Sequence, residues 1–195
     1  MRLAVFCLIA SAALPSLSQA EAPVFVVTPG DSTIKFFVKA SVAIQGDFQK
    51  WDATLKFTSP ELSTGVLDIK ISAGTVNTGS GMKDDKLKSK DFFNAAQDPY
   101  ITFKSTKIVQ TGANTFEVDG TFTIRGVSKD EKLSLVMERN AQGDGGTIQG
   151  TMAFDRKEYG MTSGIPFIKI ADRVEVTVNL KAKRVSGPPV ELKKF

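Results

Sequence analysis

The 195-residue chain carries no histidine and a single cysteine, Cys7, which excludes Ser-His and Cys-His nucleophile pairs and histidine-based zinc or iron sites. Its formal charge is +4, from 25 basic and 21 acidic residues that are interspersed along the chain. That pattern reads as a solvated surface and not as a nucleic-acid or membrane-surface patch.

Residues 1–20 have the layout of a secretory signal peptide. Arg2 supplies a positive start, Leu3 to Leu14 is apolar, and Ser18-Gln19-Ala20 is a small-x-small site that predicts cleavage near Ala20. A bacterial periplasm is the expected compartment. Cys7 falls within this segment, so the mature chain has no thiol to oxidise. The mature chain also lacks an apolar run long enough to cross a membrane as a helix. The rest suits one domain over residues 21–184, large enough to bury a core without staples, with residues 185–195 as a tail that leaves the sheet.

Pro23 to Val27 predicts a short opening strand, closed by Thr28-Pro29-Gly30-Asp31. Ile34, Phe36, Val38, Ala40 and Val42 then alternate with polar residues until Gln45-Gly46-Asp47, which is expected to break the strand. Phe48 to Phe57 resumes, with Trp51, Ala53, Leu55 and Phe57 on one face. Leu67, Ile69 and Ile71 form the next alternation. The one helical stretch is Gly81 to Phe93, with Ser80 as the expected N-cap, acids early and lysines late, and Asp84 placed to pair with Lys88.

Alternation returns with Ile101 and Phe103, then Phe116 through Ile124, ended by Gly126. Leu133, Leu135 and Met137 follow, then Ile148, Gly150, Met152 and Phe154. After a long loop over Gly160 to Pro166 the last strand carries Val174, Val176, Val178, Leu180 and Ala182. About eight half-buried strands at hairpin spacing predict an all-β antiparallel sheet that must close or be covered. A filled barrel or packed sandwich and a barrel holding a small ligand both fit this pattern.

The carboxylate pairs Asp84-Asp85 and Asp130-Glu131 are adjacent residues that point apart, so neither reads as an acid/base pair. No loop spacing fits a calcium site, and no Gly-rich loop precedes a helix in the phosphate-binding pattern. Phenylalanine is the distinctive residue: Phe36, Phe57, Phe103, Phe116, Phe122 and Phe154 all lie on the apolar phase of their strands. Such a stripe can fill a core or line an oily cavity suited to a long hydrocarbon.

Four separated motifs carry a family resemblance. The first is Thr78-Gly79, Lys83-Asp84, Leu87 to Phe93 and Pro99 to Ser105; the second is Gly46-Asp47-Phe48 with Trp51 to Leu55. The third is Asp119 to Val127, and the fourth is Asp155-Arg156 with Tyr159-Gly160-Met161. From about Val24 to Arg184 the chain resembles the YceI-like family of exported, lipocalin-like proteins. The resemblance implies an extended lipocalin-like antiparallel β-barrel with one short helix, binding polyisoprenoids or other long apolar molecules. With histidine and mature cysteine absent, no catalysis, cofactor or metal is expected. It also implies that the inward residues Phe36, Val38, Leu55, Phe57, Leu67, Ile69, Phe103, Phe122, Leu135, Met152, Phe154, Val176 and Val178 line a tunnel. Leu87, Phe92 and Phe93 would be the apolar contacts of the helix.

Lys83 and Lys86 stand where many relatives carry arginine and histidine, and a lysine lacks the planar fork that grips an anion bidentately. Lys83, Lys86 and Arg156 are candidate contacts for an anionic headgroup, with plain surface or ion-pair roles as the alternative. The expected partner is a long-chain apolar small molecule, such as an isoprenoid quinone, with transient membrane or carrier contact, as monomer or homodimer. The rival readings are a filled barrel acting through its outer surface and a carboxylate-based enzyme on an apolar substrate.

Overall fold

The computed structural model of the chain describes residues 21–164 and 169–195. The expected signal peptide and the end of the expected Gly160–Pro166 loop lie outside the described residues. The strands run β1 (Val24–Val27), β2 (Thr33–Ala40), β3 (Ile44–Phe48), β4 (Trp51–Lys56), β5 (Val66–Ser72) and β6 (Val76–Asn77). One helix, α1 (Gly81–Lys88), precedes β7 (Tyr100–Gln110), β8 (Thr115–Ile124), β9 (Val127–Arg139), β10 (Gly145–Asp155) and β11 (Ile170–Ser186).

Neighbours follow the order β1-β4-β5-β7-β8-β9-β10-β11, and β1 pairs back onto β11. This makes an eight-stranded closed antiparallel barrel. Closure leaves no long open edge on a sheet whose inner face is apolar. β11 makes it possible: Ala182 to Ser186 pair with β1, while Ile170 to Asn179 pair with β2. β1 and β2 thus follow one another along a single long strand, separated by the 3-10 turn Pro29–Asp31. At that turn the ladder is repaired by Ser32, whose hydroxyl donates to the Thr28 carbonyl (2.7 Å) and accepts from the Lys181 N–H (2.9 Å). A second repair sits at the bulge after Ser105, where the buried Ser105 hydroxyl accepts from the Leu67 N–H at 2.8 Å.

The period-two expectation holds through the long strands; β8, for instance, buries every second residue from Phe116 to Ile124. Four local expectations do not hold. Gln45-Gly46-Asp47 is not a break but the middle of β3, and the chain turns instead over 41–43, leaving Val42 61% exposed. The physical reason lies across the strand. Gly46 pairs with Phe36, whose ring occupies the space a Cβ would need, at 2.8 Å. The glycine therefore seats an aromatic ring on a neighbouring strand. The helix ends at Lys88 and does not reach Phe93, and the Ser80 side chain makes no cap bond. Asp84 instead accepts from the Thr78 N–H and hydroxyl (2.8 and 2.6 Å), and Lys88 approaches Asp85 at 3.7 Å, so the expected Asp84–Lys88 pair does not form. β9, which carries the expected Leu133, Leu135 and Met137, begins at Val127, straight after the Arg125-Gly126 hairpin turn. Both turn residues have positive φ, 55° and 71°, the type I′ geometry whose twist matches flanking strands.

Gly120 repeats the Gly46 arrangement at mid-barrel. A Cβ there would lie 2.6 Å from the Phe103 ring and 2.7 Å from the Lys104 carbonyl oxygen. Gly120→Ala should therefore cost about 1–3 kcal/mol, the usual penalty of overpacking. Gly30→Ala, with nothing within 4 Å, should stay within about 0.5 kcal/mol of the parent. Paired urea denaturation curves check both.

Candidate functional site

The barrel interior divides into two apolar chambers separated by a packed waist. The chamber at the α1 end is walled by Ile34, Phe36, Val38, Phe48, Ile71, Leu87, Phe93, Ile101, Phe122, Ile124, Phe154, Met161, Val174 and Val176, with Arg156 as the one charged member. It holds about 60 Å³ that the centre of a water molecule can reach. The second, at the β9–β10 hairpin end, is walled chiefly by Phe25, Leu55, Phe57, Leu62, Ile108, Phe116, Leu135, Met137, Ile148, Val190 and Leu192. Its corresponding space is about 120 Å³, with Arg139, Asp144 and Arg184 also in its lining.

Each strand explains the division. Along β8, Phe122 faces the first chamber and Phe116 the second, with buried Val118 and Gly120 between them. Along β10, Phe154 and Ile148 do the same around Gly150 and Met152. A Cβ on Gly150 would meet Val178 at 2.5 Å and Leu135 at 2.8 Å, so these side chains fill the space over the glycine at the waist.

Of the residues expected to line a tunnel, Phe36, Val38, Leu87, Phe93, Phe122, Phe154 and Val176 wall the α1-end chamber, and Leu55, Phe57 and Leu135 wall the other. Leu67, Ile69, Phe103, Met152 and Val178 are buried but line neither chamber. Phe92 is buried beside α1, its ring 5.9 Å from the Lys86 ammonium. Leu55, Phe57 and Val176 are only half-buried. Sequence reasoning missed Phe25 and Leu62, because a four-residue strand and a 3-10 turn set no phase. It also missed Val190 and Leu192, which reach the chamber by a long-range return of the chain that no local pattern encodes.

The α1 end is shut by aromatic packing. Phe36, Phe48 and Phe93 form a triangle with ring centroids 5.7 to 6.4 Å apart. Phe122, Phe154 and Tyr159 form another at 5.1 to 5.5 Å, within the range that rewards offset and edge contacts. β9 and β10 pair only through Ser134 to Arg139 and Gly146 to Thr151. Beyond that point Tyr159, on the 3-10 turn after β10, is fully buried and donates to Glu131 at 2.8 Å. Its burial, helped by the carboxylate acceptor, pushes the phenol well above the ordinary 10.0.

Arg156 is not a free headgroup contact. Its Nε donates to the Ala171 carbonyl (3.2 Å), Nη1 to the carbonyls of Ser163 (2.9 Å) and Met161, and Nη2 to Asp172 (3.1 Å). A buried guanidinium held by three carbonyls and a carboxylate is a structural clamp on the chain after β10. Lys157 at 2.8 Å, with Arg156, holds the Asp172 carboxyl below the usual carboxylate range. Lys86 is paired with Asp91 at 2.6 Å and, like Lys83, lines neither chamber. Among the described residues no cluster of three acids, histidines or cysteines is placed to hold a metal ion. Among the described residues no helix is long and apolar enough to cross a membrane.

A family model described as a YceI-like domain matches residues 25–182. The chain is 25% identical over 158 residues to a UPF0312 protein of Shewanella denitrificans, covering 78% of this chain and 83% of that one. The crystal structure of Burkholderia cenocepacia BcnA matches with TM-score 0.72 and 25% identity, over 80% of this chain and 99% of that one. A polyisoprenoid binding domain from Saccharophagus degradans shares the fold with TM-score 0.62 at 15% identity, over 83% and 99% of the two chains.

Because Tyr159 stays protonated in the fold beyond the pH at which an unfolded tyrosine ionises, its contribution is complete below about pH 10 and is lost as pH rises further. Tyr159→Phe should lower stability at neutral pH by about 1–2 kcal/mol, the cost of the lost bond and an orphaned partner. It should also flatten the alkaline fall in stability, measured by denaturation at pH 8 and at pH 11.

Proposed function

Since the chain belongs to the YceI-like family, we propose that it is an exported carrier or sequestering protein for a long apolar molecule, of isoprenoid-quinone or polyprenyl type, and that it binds without catalysis. The observation that carries this reading is the composition of the two chambers. Their walls are mainly aromatic and aliphatic side chains. The one charged residue of the α1-end chamber has its guanidinium committed to protein carbonyls and Asp172, and the larger chamber adds only Arg139, Asp144 and Arg184 to an otherwise apolar wall. Such an interior offers a hydrocarbon extensive burial and offers a sugar or nucleotide few partners for its polar groups.

Binding would draw on the hydrophobic term, at roughly 25 cal/mol per Å² of apolar surface removed from water. That term is large for a long chain and nearly indifferent to its identity, so a family of related lipids is the expected cargo. The chambers as they stand are smaller than the roughly 300–1,000 Å³ of ordinary ligand pockets. Joining them requires the inward phenylalanines to turn and the waist at Gly150 to open. Their small size also favours one rival, a filled barrel that acts through its outer surface. The periplasm is the compartment we assign, on the leader-like residues 1–20.

Native mass spectrometry of the protein purified from its own host, followed by organic extraction, tests the reading. A reproducible adduct that extracts as an isoprenoid or similar long-chain lipid is the expected result. A ligand-free mass both before and after exposure to a long-chain quinone would contradict it and leave the filled barrel.

A further inference from the structure

The two ends of the barrel are closed by different means. At the α1 end the cover is fully buried: Leu87, Phe92, Phe93, Tyr159 and Met161 are each at most 8% exposed. At the other end the cover is the segment after β11, residues 187–195. It does not leave the sheet as a free tail. Gly187 turns it (φ 74°), and Pro189, Val190 and Leu192 come to lie over the larger chamber.

Its attachments are few. The Glu191 N–H donates to the Pro60 carbonyl at 2.8 Å, within a parallel bridge between Glu61 and Glu191. Gln110, at the end of β7 and 93% buried, holds the Lys193 backbone unit from both sides. Its Oε1 accepts from the Lys193 N–H (2.7 Å), and its Nε2 donates to the Lys193 carbonyl (3.2 Å) and to the Gly112 carbonyl (3.1 Å). Arg184 donates to the Gly187 carbonyl. The apolar residues of the segment are only half-buried or exposed: Val190 and Leu192 are intermediate and Phe195 is 68% exposed.

We propose that residues 187–195 are a removable strap over the ligand's mouth, latched by Gln110, and that the ligand passes at this end of the barrel and not beneath α1. This rests on the carrier reading above. Releasing the strap breaks at most four hydrogen bonds, at Gly187, Glu191 and Lys193, and uncovers two half-buried aliphatic side chains. Opening the α1 end would expose two aromatic clusters and the buried Tyr159. Local opening follows the less buried, less bonded segment. A buried glutamine that reads one backbone unit is a specific fastening, and polar groups on that unit can return to water when it lets go.

A reversible lock tests the proposal. Strands of a parallel pair lie about 4.8 Å apart, within the Cα range of a disulfide. Glu61→Cys with Glu191→Cys, in a Cys7→Ala background, therefore ties the strap down when oxidised and frees it when reduced. Trp51, the single tryptophan, lies half-buried against the core opposite Ile71, so quenching by decylubiquinone after rapid mixing reports association. The oxidised protein should associate at least about tenfold more slowly than the same sample after reduction, because binding then has to wait for another opening. Gln110→Leu should speed both association and release. Equal association rates in a locked protein that still binds would overturn the strap and leave the carrier reading standing. Failure of the reduced protein and of the parent to bind any long-chain quinone would overturn the carrier reading and the strap together.

Discussion

Everything in this molecule hangs on the pairing of β11 with two successive strands. A sheet with one apolar face must hide that face, and here the sheet hides it by curling until β1 meets the end of β11. A seventeen-residue strand is long enough to serve β2 with its first half and β1 with its end. The misfit this creates is absorbed by the turn at Pro29–Asp31, and Ser32 supplies the hydrogen bonds the turn removes. Without that splice the ring would be left open beside Val24 to Val27, and the chambers would have no wall.

Closure of a fixed number of strands sets an interior width, and the side chains then decide how much is left. Glycines at Gly46 and Gly120 let the rings of Phe36 and Phe103 lie across the wall, and Gly150 makes room for Val178 and Leu135 at the centre. What remains is two small, mainly apolar spaces whose walls can exchange contact with one another for contact with a hydrocarbon. Polar chemistry has been moved to the seams. Arg156 ties down the chain after β10, Tyr159 with Glu131 fills the gap where β9 and β10 part, and Gln110 holds the segment after β11. Each is buried and each is satisfied, as buried polar groups must be.

Most of the barrel was legible from alternation alone, because a half-buried strand writes its phase in every second residue. That is why the inward positions from Phe116 to Ile124 and from Val174 to Ala182 could be read directly. Gly46 was misread because glycine punctuates a chain locally but also makes room across strands, and only the pairing with Phe36 separates the two. The length of α1 was overestimated because Leu87, Phe92 and Phe93 are all buried, although only the first is helical. The division into chambers was not legible, since a waist depends on the summed volumes of residues from many strands. Arg156 looked available for a ligand because its partners are mainly backbone carbonyls, which leave no mark in a sequence.

On the carrier reading, affinity in this barrel comes from hydrocarbon and not from a headgroup. Calorimetric titration with quinones that share one ring and differ only in the number of isoprene units measures this directly. Each added unit should tighten binding and make the heat-capacity change more negative until the interior is full, as apolar burial requires. Affinity that stays level along the series, with a heat-capacity change near zero, would place recognition at the ring and contradict the account.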